Sequence, residues 1–149
     1  MPKLAMSVQY ASENDGLPSE KQFRRWARAT LRVDTEATLR IVDEEEGRML
    51  NRDYRGKDYA TNVLTFPLVE EPWLVGDIIL CAPVVAKEAH EQNITLEAHY
   101  AHLTVHGILH MHGYDHEEEH QAELMESIES ATMVRLGYAD PYLSEKRKP

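Results

Sequence analysis

Cys81 is the only cysteine in 149 residues, which excludes an intramolecular disulfide and with it the cross-linked scaffolds of small secreted domains. The opening stretch MPKLAMSVQY holds no long apolar run. Neither a signal peptide nor a membrane span is expected there, and the chain is expected to work in a reducing cytoplasm without a membrane partner. Low-complexity tracts and internal repeats are also missing, which excludes solenoids and disordered linkers. Positive charge is scarce: 16 Lys and Arg stand against 26 Asp and Glu, a formal net charge of −10. Proteins that coat nucleic acid neutralise its phosphates with Lys and Arg. This composition therefore excludes broad coating, and a DNA partner is not expected. Contact with RNA has to be local.

What is present describes an ordinary globular protein, 42% hydrophobic and 28% charged, of a length that suits one domain over residues 1–149. Basic residues cluster at 21–32 and 48–57, and acids at 43–46 and 117–129. A cleft lined by the second basic cluster can accept a phosphate despite the acidic total.

Leu4, Met6, Val8 and Tyr10 alternate with period two and predict a strand. Ser19 and Gln22 have capping-box spacing ahead of Phe23, Trp26, Ala27, Thr30 and Leu31, which share one helical face. Residues 38–42 predict a second strand, followed by a short helix running toward Asp53 with Asp43 and Glu46 as its cap. Two more strands are expected at 62–66, ending at Pro67, and at 74–81. Pro83 suits the first turn of a helix reaching Gln92. Thr95 opens a longer helix stopped by Gly113, and a last helix spans 117–136 up to Gly137. Residues 140–149 are expected as a tail that need not be ordered. The sum is an α+β fold, a small mixed sheet of about four strands packed against about five helices.

Residues 106–116 read HGILHMHGYDH. His106 and His110, four apart, share a helical face, and the turn at Gly113 lets His116 supply a third imidazole. Three histidines with an open fourth position are the donor set of a catalytic zinc, and one Zn2+ per chain is expected, although imidazoles also suit nickel. A histidine-rich surface is the alternative. The H-x-x-x-H-x-x-G-x-x-H spacing, shared with metzincin proteases, argues against it. Those proteases carry their general base directly after the first histidine, where this chain has Gly107, so a peptidase of that type lacks its base. His99 and His102 continue the stripe, and His102 is a candidate for orienting a ligand. His90, His112 and His120 are expected at the surface.

The same stretch closely resembles the H-G-x-L-H-x-x-G-y-D-H signature of the YbeY family of bacterial endoribonucleases. LNRDYRGKDYATNVLTFP, residues 50–67, and WLVGDIILC, residues 73–81, resemble two further family segments in order and spacing. The resemblance implies a zinc ion on His106, His110 and His116 and single-strand-specific cleavage of RNA. It also implies a role in small-subunit ribosomal RNA 3′ end maturation and ribosome quality control. Implied partners are the small ribosomal subunit and assembly factors such as an Era-type GTPase.

A zinc ion with an open position polarises a phosphoryl oxygen or acidifies a bound water. Arg55 in the second motif offers a planar fork for the charge of a phosphodiester transition state, unless it pairs with Asp53 or Asp58. Arg52 and Lys57 can add positive field, and Asn62 and Thr61 can bond substrate or hold a strand edge. Asp77 and Asp115 are candidates for orienting an imidazole, or for turn and cap roles. Hydrolysis and internal transesterification both remain open. A ribosome-assembly binding factor with a structural metal would unfold when the metal is removed, and a zinc hydrolase of the metalloprotease type would ignore RNA.

Overall fold

The computed structural model of the chain describes residues 1–115 and 117–143. In order, β1 (Leu4–Ala11), α1 (Glu20–Thr30), β2 (Thr35–Val42), α2 (Glu44–Arg55), β3 (Val63–Val69), β4 (Leu74–Cys81), α3 (Ala82–Gln92), α4 (Leu96–Met111) and α5 (Glu119–Arg135) build an α+β fold. The strands form one mixed sheet in the order β1-β2-β4-β3, with β1, β2 and β4 parallel and β3 antiparallel at the edge. The parallel pair β1 and β2 requires a crossover, which α1 supplies.

Local chemistry explains most boundaries. At α1 the Gln22 amide donates to Ser19 Oγ at 3.2 Å and the Ser19 amide to Gln22 Oε1 at 2.9 Å, so the capping box forms. Thr95 caps α4 by accepting from the Ala98 amide. Beyond α4, Gly113 takes φ 93°, a left-handed conformation that side chains resist.

Elsewhere the boundaries depart from the sequence expectation. Asp43 precedes α2 without capping it; its carboxylate instead accepts from Ser12 Oγ and, at 3.3 Å, from the Glu13 amide. Glu46 is drawn away to a two-pronged bond with Arg40, at 2.6 and 3.0 Å. Strand β3 runs through Pro67 to Val69, because at a sheet edge the missing proline N–H removes no ladder bond. Strand β2 starts earlier, at Thr35, whose amide bonds Lys3 O at 2.9 Å. Helix α5 starts at Glu119 rather than at 117.

One face of the sheet meets α1 and α4, with α5 packed on α4, in the main core, where Phe23, Trp26, Leu39, Ile41, Ile78, Tyr100, Ile108 and Met125 are fully or nearly fully buried. The other face meets α2 in a smaller cluster of Val42, Leu64, Ile79 and Cys81. Burial of this kind is worth about 1.5–3 kcal/mol per large aliphatic or aromatic side chain. Among the described residues no helix is long and apolar enough to cross a membrane.

Helix α4 lies so close to β4 that a Cβ on Gly107 would sit 3.1 Å from two Ile78 side-chain carbons. Gly107→Val is therefore expected to lower stability by about 2 kcal/mol through overpacking. In denaturant titrations the midpoint should fall at constant slope, and trimming Ile78→Val should recover part of the loss. Full additivity of the two substitutions would refute the direct contact.

Candidate functional site

A cleft of about 630 Å³ runs along edge strand β3, between α4 and the end of α2, and is lined by Arg55, Asn62, Thr65, Phe66, His106, His110 and Asp115 among others. His106 and His110, one turn apart on α4, have ring centroids 6.3 Å apart. His116 lies outside the described residues, as do residues 144–149.

His106 does not hang freely from its helix. Its Nδ1 is 3.3 Å from Oε1 of Glu129, on α5. The same oxygen is 2.7 Å from His102 Nε2 and accepts from the Tyr142 hydroxyl at 3.0 Å. Burial raises the Glu129 pKa, but the hydrogen bonds from His102 and His106, together with the attraction of their positive charge when they are protonated, outweigh it and bring the value down to about 2. Glu129, 1% exposed, is thus a carboxylate at neutral pH. A carboxylate only accepts, so each imidazole presents an N–H to it. The proton of neutral His106 then sits on Nδ1, and Nε2 keeps the lone pair that a metal requires.

The donor set fits a borderline-soft divalent cation. Two imidazoles face one cleft, one of them oriented by a carboxylate, and the single thiol, Cys81, is buried in the cluster on the sheet's other face. His102 sits one turn before His106 and reaches it through Glu129, and its ring meets Tyr142 edge-on at 5.4 Å.

Arg55 ends α2 on the cleft wall. The two carboxylates that would compete for it are engaged elsewhere: Asp58 with Arg48 at 2.8 Å, and Asp53 with Arg52 at 3.3 Å. Among the described residues Arg55 has no carboxylate partner. Arg52 and Lys57 are exposed and lie outside the cleft lining.

Asn62 lines the cleft, but its side chain also has structural work. Its Nδ2 donates to Glu88 at 3.0 Å, and its Oδ1 accepts from the Val63 amide at 2.7 Å. Glu88 is also 2.8 Å from Nε2 of His99, a buried residue. This pairing joins α3, α4 and the start of β3. Asp115 lines the cleft and accepts from the Glu117 amide at 3.2 Å, a turn-forming bond.

Asp77 does not join the histidines. On β4, Gly76 and Ile78 point toward α4, so the alternation of a strand turns Asp77 to the opposite face. There it stands across from Phe66, with its pKa raised by burial. His112 differs from the surface expectation as well. It is partly buried, accepts from the Arg32 amide at Nε2 and places Nδ1 2.8 Å from Ile108 O.

Two contributors escaped the sequence pattern. Glu129 was counted with the acidic stretch at 117–129, yet it falls on the helical stripe Met125, Glu129, Met133, all buried. A carboxylate at i+4 between two apolar positions marks a paired, buried charge, and that was the available signal. Tyr142 belongs to the segment expected as a tail. Residues 140–143 are instead held down, with Asp140 accepting from Ser130 Oγ at 2.7 Å and from the Tyr142 amide at 2.9 Å. Nothing local marks that docking.

Residues 8–137 match the family profile described as Endoribonuclease YbeY. A relative of that name from Methylobacillus flagellatus is 88% identical over 148 residues, 99% of each chain. Another of that name from Nitrosomonas europaea is 51% identical, covering 95% of this chain and 86% of its own. A solution structure of a Thermotoga maritima protein superposes with a TM-score of 0.56 at 29% identity, covering 88% of this chain and 92% of that one. With the motifs, the fold and these similarities in agreement, the chain belongs to the YbeY family of endoribonucleases, hydrolases that act on RNA.

Proposed function

We propose that the endoribonuclease is zinc-dependent, cuts single-stranded RNA in the cleft along β3, and serves ribosomal RNA processing in the cytoplasm, including small-subunit 3′ end maturation and quality control. The observation that carries the metal part is the buried Glu129 carboxylate on Nδ1 of His106, which turns the other ring nitrogen into a metal donor. His106, His110 and His116 are the proposed ligands. Bound there, zinc supplies Lewis acidity toward a phosphoryl oxygen and a water acidified to roughly neutral pKa.

The protein's own part is positioning and charge. Arg55 faces the cleft and can pair two oxygens of a phosphodiester at once, an arrangement that strengthens as negative charge grows in the transition state. Glu129 and His102 hold His106 in one tautomer. Gly107 is pressed against Ile78, so a glutamate base of the metzincin kind has no room in this position, which speaks against a peptidase. The proposed partners are ribosomal RNA, the small ribosomal subunit and its assembly factors, including an Era-type GTPase.

A fold-stabilising metal is disfavoured by the core itself, which closes around α4 with apolar side chains. Chelation is accordingly expected to leave a cooperatively folded apoprotein by circular dichroism while abolishing RNA cleavage. Unfolding on chelation would instead support the binding-factor reading. On a ribosomal RNA fragment, His110→Ala and Arg55→Ala should each lower cleavage by about 100-fold or more, with melting curves close to the parent's. Equal cleavage by all three proteins would assign it to a contaminant.

Glu129→Gln is expected to weaken zinc binding by about 10- to 100-fold in competition with a chromogenic chelator. In the parent apoprotein, nitrogen NMR should find the His106 proton on Nδ1. Unchanged zinc affinity in the variant would separate Glu129 from the metal site.

A further inference from the structure

The cleft has an aromatic end that the chemistry above does not use. Tyr54, beside Arg55 in the last turn of α2, is 68% exposed, and Tyr59 in the following loop is 57% exposed. Both line the same cleft as His106, His110 and Arg55. The Tyr54 ring rests on Phe66 of β3, with centroids 5.0 Å apart and planes at 60°. Phe66 is in turn partly buried against the smaller core cluster. Tyr54 is therefore supported from beneath while most of its surface stays open.

The loop that carries Tyr59 is held as well. Asn51, 1% exposed, donates from Nδ2 to Tyr59 O at 2.7 Å. The Lys57 amide bonds Asn51 O at 3.3 Å, and Asp58 is clamped by Arg48. Holding the loop in advance reduces the ordering cost of any ligand that uses it.

We propose that Tyr54, backed by Phe66, is a base-stacking subsite for one unpaired nucleotide, with Arg55 gripping the adjoining phosphate. This inference rests on the single-stranded RNA reading and deepens it. Residues 54 and 55 are consecutive, about 3.8 Å apart at Cα, so a ring and a guanidinium are offered within one nucleotide step. A base inside a duplex already has neighbours on both faces and cannot lie on Tyr54. An unstacked base can, and stacking on an aromatic ring tolerates any base identity. Such a contact also suits a protein of net charge −10, because it adds affinity without adding cations. Selection of single strands would thus arise at Tyr54, away from the histidines.

The test uses the zinc-loaded protein and an unstructured RNA oligonucleotide with one cleavage position, prepared also as a set with one abasic nucleotide at each site in turn. For the parent, one abasic position near the cleaved bond should raise KM by about tenfold with kcat nearly unchanged. Tyr54→Ala should raise KM by a similar factor on the intact oligonucleotide and lose nothing further at that abasic position, as two deletions of one contact must. Tyr54→Phe and Tyr54→Trp keep a π face and should restore the parent's kinetics. Tyr54→Ala should also narrow the preference for single strands over a duplex of the same sequence.

If Tyr54→Ala matches the parent on the intact oligonucleotide, or remains as sensitive as the parent to the abasic site, the subsite is overturned while RNA cleavage stands. If that variant loses only the capture of a ribosomal protein, the aromatic end is a protein contact and the subsite is again overturned. If the parent cleaves no single-stranded oligonucleotide, the underlying reading falls, and the subsite falls with it.

Discussion

The charge of Glu129 ties α4, α5 and the segment after α5 to one point. Leaving a carboxylate in the interior unpaired costs several kcal/mol, so the fold must deliver partners to it. It delivers His102 and His106 from α4 and Tyr142 from beyond α5, all onto one oxygen. Removing any one donor lowers the compensation of the charge that the others share. The packing of α5 on α4, the docking of residues 140–143 and the tautomer of His106 are consequently one linked problem.

The second constraint is the depth at which α4 sits. Gly107 lets the helix axis approach β4 until only Ile78 separates it from the strand. Tyr100, Val105, Ile108 and Leu109 of this helix are buried in the main core while His106 and His110 remain at the cleft. Zinc peptidases with the same histidine spacing spend the position after the first histidine on a general base. Here it is spent on packing. The spacing of imidazoles is thus compatible with either a base or a packing residue after the first of them.

How much of this was legible in the sequence follows from the range of each interaction. The Ser19 capping box, the Pro83 helix start, strand β4 and the Gly113 stop are set by residues within four or five positions of one another, and the sequence pattern shows them. The pairing of His106 with His110 is legible for the same reason, as both lie on one turn of one helix. Asp43 and Glu46 had cap spacing too, but Ser12, on a loop 31 residues from Asp43, and Arg40, on the preceding strand β2, hold stronger claims on their carboxylates. Tyr54 and Phe66 meet only because α2 folds over the sheet edge. Asp77, read as either an imidazole-orienting or a turn residue, lies inside β4 and faces away from α4, since a one-residue step along a strand reverses the face.

An acidic protein that acts on a polyanion has to solve an electrostatic problem, and the placement of its arginines indicates how. Arg24, Arg40, Arg48 and Arg52 each have a carboxylate beside them. Arg55, at the cleft, has none among the described residues. Exposed pairs of this kind contribute little to stability, so their main effect is on the field outside the protein. They mute it at those four positions, whereas the guanidinium of Arg55 stands at the cleft without such a partner among the described residues. A formal net charge of −10 works against long-range attraction for RNA. Binding must then draw on short-range terms, stacking and directed hydrogen bonds, which act only once the strand is in place. Selectivity under those conditions comes from geometry at the cleft rather than from charge at a distance.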